Sequence, residues 1–159
     1  RRAFWKSYKL QSQLETVRFK EVLISKSRGM TMNEAEVRQI VTSYFQAALN
    51  EPDTSIFPTF FTPDGILEDP VGMPPLRGRE AIRKFVEAGR ANIERGTFEI
   101  REIFVCGNES AVRWTIEAWT KKGQHLTVNG VGNFMFDEDR KLRHVREFFD
   151  VTMLLSILS

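Results

Sequence analysis

Hydrophobic and polar positions fall into a clear order from residue 33 onward. Asn33 with Glu36 three positions later has the pattern of a reciprocal N-terminal helix cap. Val37, Ile40, Val41, Tyr44, Phe45 and Ala48 follow at spacings of three and four, which predicts one buried face of an amphipathic helix. Asn50, Pro52 and Asp53 end it. Ser55–Phe61 reads as a short aromatic helical turn closed by a Pro63-Asp64-Gly65 turn. Ile66–Asp69 reads as a short strand leading into a proline-rich loop, 70–75. From Arg79 a second long helix is predicted, with Ile82, Phe85, Val86 and Ile93 as its apolar stripe. The remainder predicts four strands: Phe98–Cys106, Ser110–Thr120, His125–Phe136 and Leu142–Leu154. Turns at Gly107-Asn108, Lys121-Lys122-Gly123 and near Asp137–Lys141 join them as a meander. Along the second, Val112, Trp114, Ile116 and Ala118 alternate with Arg113, Thr115 and Glu117, so one face is buried. This order is α+β, with helices on one face of a bent antiparallel sheet.

Composition adds the limits. The 159 residues suit one core-bearing domain. Thirteen Phe and three Trp against two Tyr supply enough apolar rings to line a pocket or fill a core. No apolar run reaches the length of a membrane-spanning helix. Residues 1–29 carry eight Lys or Arg and two Asp or Glu, whereas the rest of the chain has a net charge of −4. The domain proper therefore lacks a nucleic-acid footprint. The expected organisation is a basic leader over 1–32, a domain over 33–154 and a tail over 155–159. The leader is read either as sequence upstream of a start at Met30 or Met32, or as a basic amphipathic arm for a membrane surface or import machinery. Cys106, the single cysteine, excludes an intrachain disulfide and is expected to be buried in its apolar run. Two histidines without a cysteine pattern make a zinc site improbable. With no nucleotide loop, metal-ligand set or haem motif, no cofactor is expected.

One segment carries a resemblance. Ile66-Leu67-Glu68-Asp69-Pro70-Val71-Gly72-Met73-Pro74-Pro75 with Leu76-Arg77-Gly78-Arg79-Glu80-Ala81-Ile82 closely resembles the strand-loop-helix of bacterial ketosteroid isomerases. The run Arg146-Glu147-Phe148-Phe149-Asp150 resembles the last strand of SnoaL-like polyketide cyclases and limonene epoxide hydrolases, of the same nuclear transport factor 2-like superfamily. The resemblance spans about 33–154 and implies a cone-like α+β barrel, with three helices on the concave side of the sheet, around an apolar small-molecule pocket.

It also implies roles. Asp69 falls at the position of the isomerases' carboxylate base, and Tyr44 at that of their oxyanion tyrosine. In those enzymes a protonated Asp completes the oxyanion hole; its position here is Gly132, and Asn129 lies on the opposite face of the strand. Gly130 and Gly132 are expected to widen the cavity. Glu147 alternates with Val145 and Phe149, on the face the resemblance turns inward, where cyclases and epoxide hydrolases carry an acid. The other reading of Glu147 is a surface carboxylate paired with Arg113 or Arg143. Phe85, Trp114, Phe134, Phe149 and Val145 are assigned to the pocket wall. Arg77, Arg79 and Arg83 read as a solvated face at a helix start rather than an anion site.

The expected function is a cofactor-independent isomerase or cyclase acting by proton transfer on a carbonyl compound. The alternatives are a non-catalytic module for a lipophilic ligand or for dimeric interaction, and an epoxide-hydrolase-like hydrolase, whose Arg and Asp positions are again Gly130 and Gly132. The expected partners are an apolar small molecule and a second copy of the chain in a homodimer, without nucleic acid or membrane. The expected location is the cytoplasm.

Overall fold

The computed structural model describes residues 15–22 and 31–152. The predicted tail and the ends of the leader lie outside the described residues. The chain divides into two compact units, Arg1–Thr31 and Met32–Ser159. In the first, residues 15–22 are helical.

The second unit opens with helix α1, Glu34–Leu49. Asn33 caps it as the sequence predicts: its side chain accepts from the Glu36 N–H at 2.9 Å, and the Glu36 carboxylate accepts from the Asn33 N–H at 3.0 Å. The buried face of α1 is Val37, Val41, Tyr44, Phe45 and Ala47. A short 3-10 helix, Phe57–Phe60, leads into strand β1, Phe61–Glu68. Strand β2, Leu76–Arg77, and helix α2, Arg79–Arg90, follow the proline-rich loop. Strands β3, Ile93–Cys106, β4, Glu109–Thr120, β5, His125–Phe136, and β6, Leu142–Phe149, complete one six-stranded sheet in the order β2-β1-β6-β5-β4-β3.

The α+β class and the curved sheet under three helices are as the sequence predicts, and the sheet stays open. Its one parallel pairing joins β1 to β6. Three local expectations are corrected. Pro63-Asp64-Gly65 does not end an element. The strand runs through it with a register shift between Phe61 and Ile66 against β6, so an irregularity takes the place of a turn. Ile93 does not belong to the stripe of α2, which ends at Arg90; Ile93 begins β3 opposite Thr120, and only Ile82 and Val86 of α2 are buried. Cys106 is exposed rather than buried. It ends the edge strand β3, where alternation turns it and the 66% exposed Phe104 away from the helices.

The turns use the expected glycines. Gly107 and Gly123 have φ of 63° and 82°, the left-handed conformation that tight connections require and side-chain-bearing residues resist.

Candidate functional site

Alternation along β1 sorts its last residues. Leu67 is buried; Glu68 points outward, where it accepts from His144 at 2.7 Å and Arg146 at 3.0 Å, both on β6. Asp69, the next residue, turns back toward the helices. The loop after it is anchored, since the Val71 N–H donates to the Glu147 carbonyl at 2.8 Å. Asp69 is thereby held beside the inward face of β6.

Glu147 is on that inward face and 2% exposed, so it is not a surface carboxylate. Arg113 pairs instead with Glu102 at 3.0 Å. The indole Nε1–H of Trp114 donates to Glu147 Oε2 at 2.9 Å, while Oε1 is buried with no hydrogen-bond partner. Trp114 lies on β4 and Glu147 on β6, so the bond passes over β5. Gly130 pairs with Trp114 and Gly132 with Glu147. A Cβ at Gly130 would come within 2.4 Å of the Trp114 ring. One at Gly132 would come within 2.6 Å of Glu147 Oε2 and 2.5 Å of the Phe134 ring. The two glycines therefore do not widen a cavity. Their missing side chains make room for the indole, the carboxyl and Phe134.

Tyr44 projects from α1 into the same region. Its ring centroid is 5.4 Å from that of Phe134 and 4.8 Å from that of Phe57. Phe45 and Phe149 contact Trp114 at 5.6 and 5.9 Å between centroids. Val145, opposite Phe134, is fully buried. Phe85, by contrast, stands 36% exposed on α2. The arginines at the start of α2 are occupied: Arg79 donates to the Phe61 carbonyl and Arg83 pairs with Glu80 and Glu87.

These surroundings set the protonation. Burial raises Asp69 from the usual carboxylate range to about 7. Burial first, and then the negative charge of Asp69, raise Glu147 to about 8, against the lowering effect of the Trp114 bond and of the nearby Tyr44 hydroxyl. Burial, and then the charges of Glu147 and Asp69, push Tyr44 well above its ordinary value, so its phenol stays a neutral donor. The three groups sense one another's charge inside an aromatic shell. Near neutral pH that combination provides a carboxylate, a neutral carboxyl and a phenol.

Sequence reasoning named Asp69, Tyr44 and, as one of two readings, Glu147 for this region, and it missed the Trp114–Glu147 bond and the purpose of the glycines. Both depend on cross-strand register, for which a Gly-x-Gly next to a Trp-bearing strand is a weak signal. An open groove of about 460 Å³ between α1 and the β5–β6 turn includes Glu36, Ile40, Ser43 and Arg140, and none of these site residues. Among the described residues, no helix is long and apolar enough to cross a membrane.

Comparison with known proteins agrees with the fold. Residues 41–145 match the SnoaL-like domain family, and the chain belongs to it. A steroid Δ-isomerase of Nocardioides simplex is 31% identical over 117 residues, covering 72% of this chain and 90% of that protein. Among solved structures, the epoxide hydrolase/cyclase-like enzyme SalBIII of pyran ring formation in polyether salinomycin superposes with a TM-score of 0.65 at 25% identity. It covers 76% of this chain and 95% of its own. A SnoaL-like polyketide cyclase from Shewanella denitrificans shares the fold at the same TM-score and coverage with 17% identity.

Proposed function

We propose that the protein catalyses cofactor-independent proton transfer at carbon next to a carbonyl group of a neutral, largely apolar compound, as an isomerase or cyclase does. The observation that carries this reading is the convergence of Asp69, Glu147 and Tyr44 within an aromatic shell, with the two carboxyls raised to about 7 and about 8. The Asp69 carboxylate takes a proton from the α-carbon. The C–H electron pair becomes the carbon–carbon double bond of an enolate, and the carbonyl oxygen takes the negative charge. Tyr44 donates to that oxygen, and Asp69–H returns the proton to carbon. A carboxylate substrate would meet two acids, which favours a neutral one. The 31% identical steroid Δ-isomerase supports the same chemistry.

The reading includes a second copy of the chain as partner. On the outward face of the sheet Val131 and Phe148 are Cα partners, 40% and 43% exposed, flanked by the Arg113–Glu102 pair. An apolar patch rimmed by both charge signs suits a self-complementary contact.

The test of the chemistry is solvent-deuterium uptake by a panel of enolisable ketones, including an unsaturated steroid ketone. The expected result is uptake that is lost in Asp69→Asn. Uptake equal in wild type and Asp69→Asn removes the base from Asp69, whereas retained ketone affinity without uptake identifies a binding module.

A further inference from the structure

Asp69 lies just past the part of β1 that the sheet holds on both sides. Strand β2 faces β1 at Ile66 and Leu67, and the β1–β6 register ends with Glu68 opposite Arg146. Beyond Leu67, the ties that hold the chain run to β6, one on each side of Asp69. After it, the Val71 N–H donates to the Glu147 carbonyl at 2.8 Å. Before it, on the outward face, Glu68 Oε1 accepts from His144 Nε2 at 2.7 Å and from Arg146 Nε at 3.0 Å. His144 and Arg146 are two residues apart on β6, so both reach the carboxylate from the same face. The Glu68 side chain is only 16% exposed, and the Arg146 guanidinium also lies over the Phe148 ring, 5.3 Å from its centroid. A shielded carboxylate shared by two donors fixes geometry better than an exposed ion pair does.

We propose that Glu68, His144 and Arg146 form a clamp on the outward face of the sheet that positions the Asp69 carboxyl on its inward face. All three are positioning residues, on the opposite side of the sheet from the site. Successive side chains along a strand point to opposite faces, so fixing Glu68 outward aims Asp69 inward, toward Glu147. With the clamp released, the end of β1 keeps the tie at Val71 alone, and the Asp69 carboxyl turns toward water. The proposal rests on the proton-transfer reading only for what Asp69 does once it is placed. A base has to stand within reach of the α-carbon, and a displacement of about 1 Å costs about a hundredfold in rate. The placement itself is measured without a substrate.

The test titrates Asp69 by NMR in protein labelled with ¹³C at the aspartate carboxyls, with its resonance assigned by loss in Asp69→Asn. The wild-type midpoint should lie near 7. Arg146→Met removes a cation and a donor but keeps an apolar side chain beside Phe148. Loss of a nearby positive charge alone would raise the Asp69 midpoint. Release of Asp69 into water lowers it, because burial is what holds it up. The expected result is a midpoint that falls toward the ordinary carboxylate range, with near-ultraviolet circular dichroism retained as the mark of an intact core. Should Arg146→Met not fold, Glu68→Ala and Glu68→Gln serve instead. Both remove the same charge, but Gln still accepts from His144 and Arg146 and keeps the clamp. The midpoint should fall in Glu68→Ala and stay closer to the wild-type value in Glu68→Gln. A raised or unchanged midpoint in Arg146→Met, or equal midpoints in the two Glu68 variants, overturns the proposal. The titration needs no ketone, so its failure is distinct from a failure of the exchange assay.

Discussion

Trp114 on β4 reaches across the whole width of β5 to hold Glu147 on β6, by a 2.9 Å bond that runs over Gly130 and Gly132. Two glycines that in the sequence suggest an emptied pocket are instead the floor on which a buried acid is mounted. Side chains at either position would collide with the indole or the carboxyl, and the arrangement depends on their absence.

Gly130→Ala and Gly132→Ala should therefore destabilise the protein by ~1–3 kcal/mol each, as overpacking of a filled core does. In an unhindered strand, replacing Gly by Ala has the opposite sign, so the direction alone is diagnostic. Chemical denaturation of the two variants, with Gly123 left intact as the turn residue, measures it. Stabilisation by either variant contradicts the packing described here.

Stability should fall as pH rises from about 4 to about 8. Asp69 and Glu147 have folded-state values raised to about 7 and about 8, so the folded protein binds more protons than the unfolded chain across that interval. Their contribution is complete below the ordinary carboxylate range and is lost as each is ionised in the buried site. Glu147→Gln removes its share, and thermal melts of the variant should decline less steeply with pH. Equal slopes for wild type and variant contradict the burial of an ionisable Glu147.

Much of the fold was legible because it is written in local chemistry. The Asn33–Glu36 cap, the α1 stripe with Tyr44 in it, and the strand bounds of β5 follow from spacing and turn residues alone. The exposed Cys106 and the passage of β1 through Pro63-Asp64-Gly65 were not legible, because each depends on which strand lies alongside. The same holds at the site. Asp69 and Glu147 could be named from their segments, but the Trp114 bond and the unpartnered Oε1 arise only when three strands are set in register.

The second-copy contact predicts that Phe148→Asp converts a dimer to a monomer without unfolding it, because Phe148 is outward and only half-buried. Sedimentation velocity checks this. A wild type that sediments as a monomer at micromolar concentration contradicts the contact.

The most direct measurement is the pH profile of deuterium uptake into an enolisable ketone, for wild type and Asp69→Asn. The account predicts a bell: the rate rises through about pH 7 as Asp69 becomes a carboxylate and falls above about pH 8 as Glu147 loses its proton. It also predicts that Asp69→Asn abolishes the uptake. A wild-type rate that is flat across this range, or uptake that survives Asp69→Asn, contradicts it.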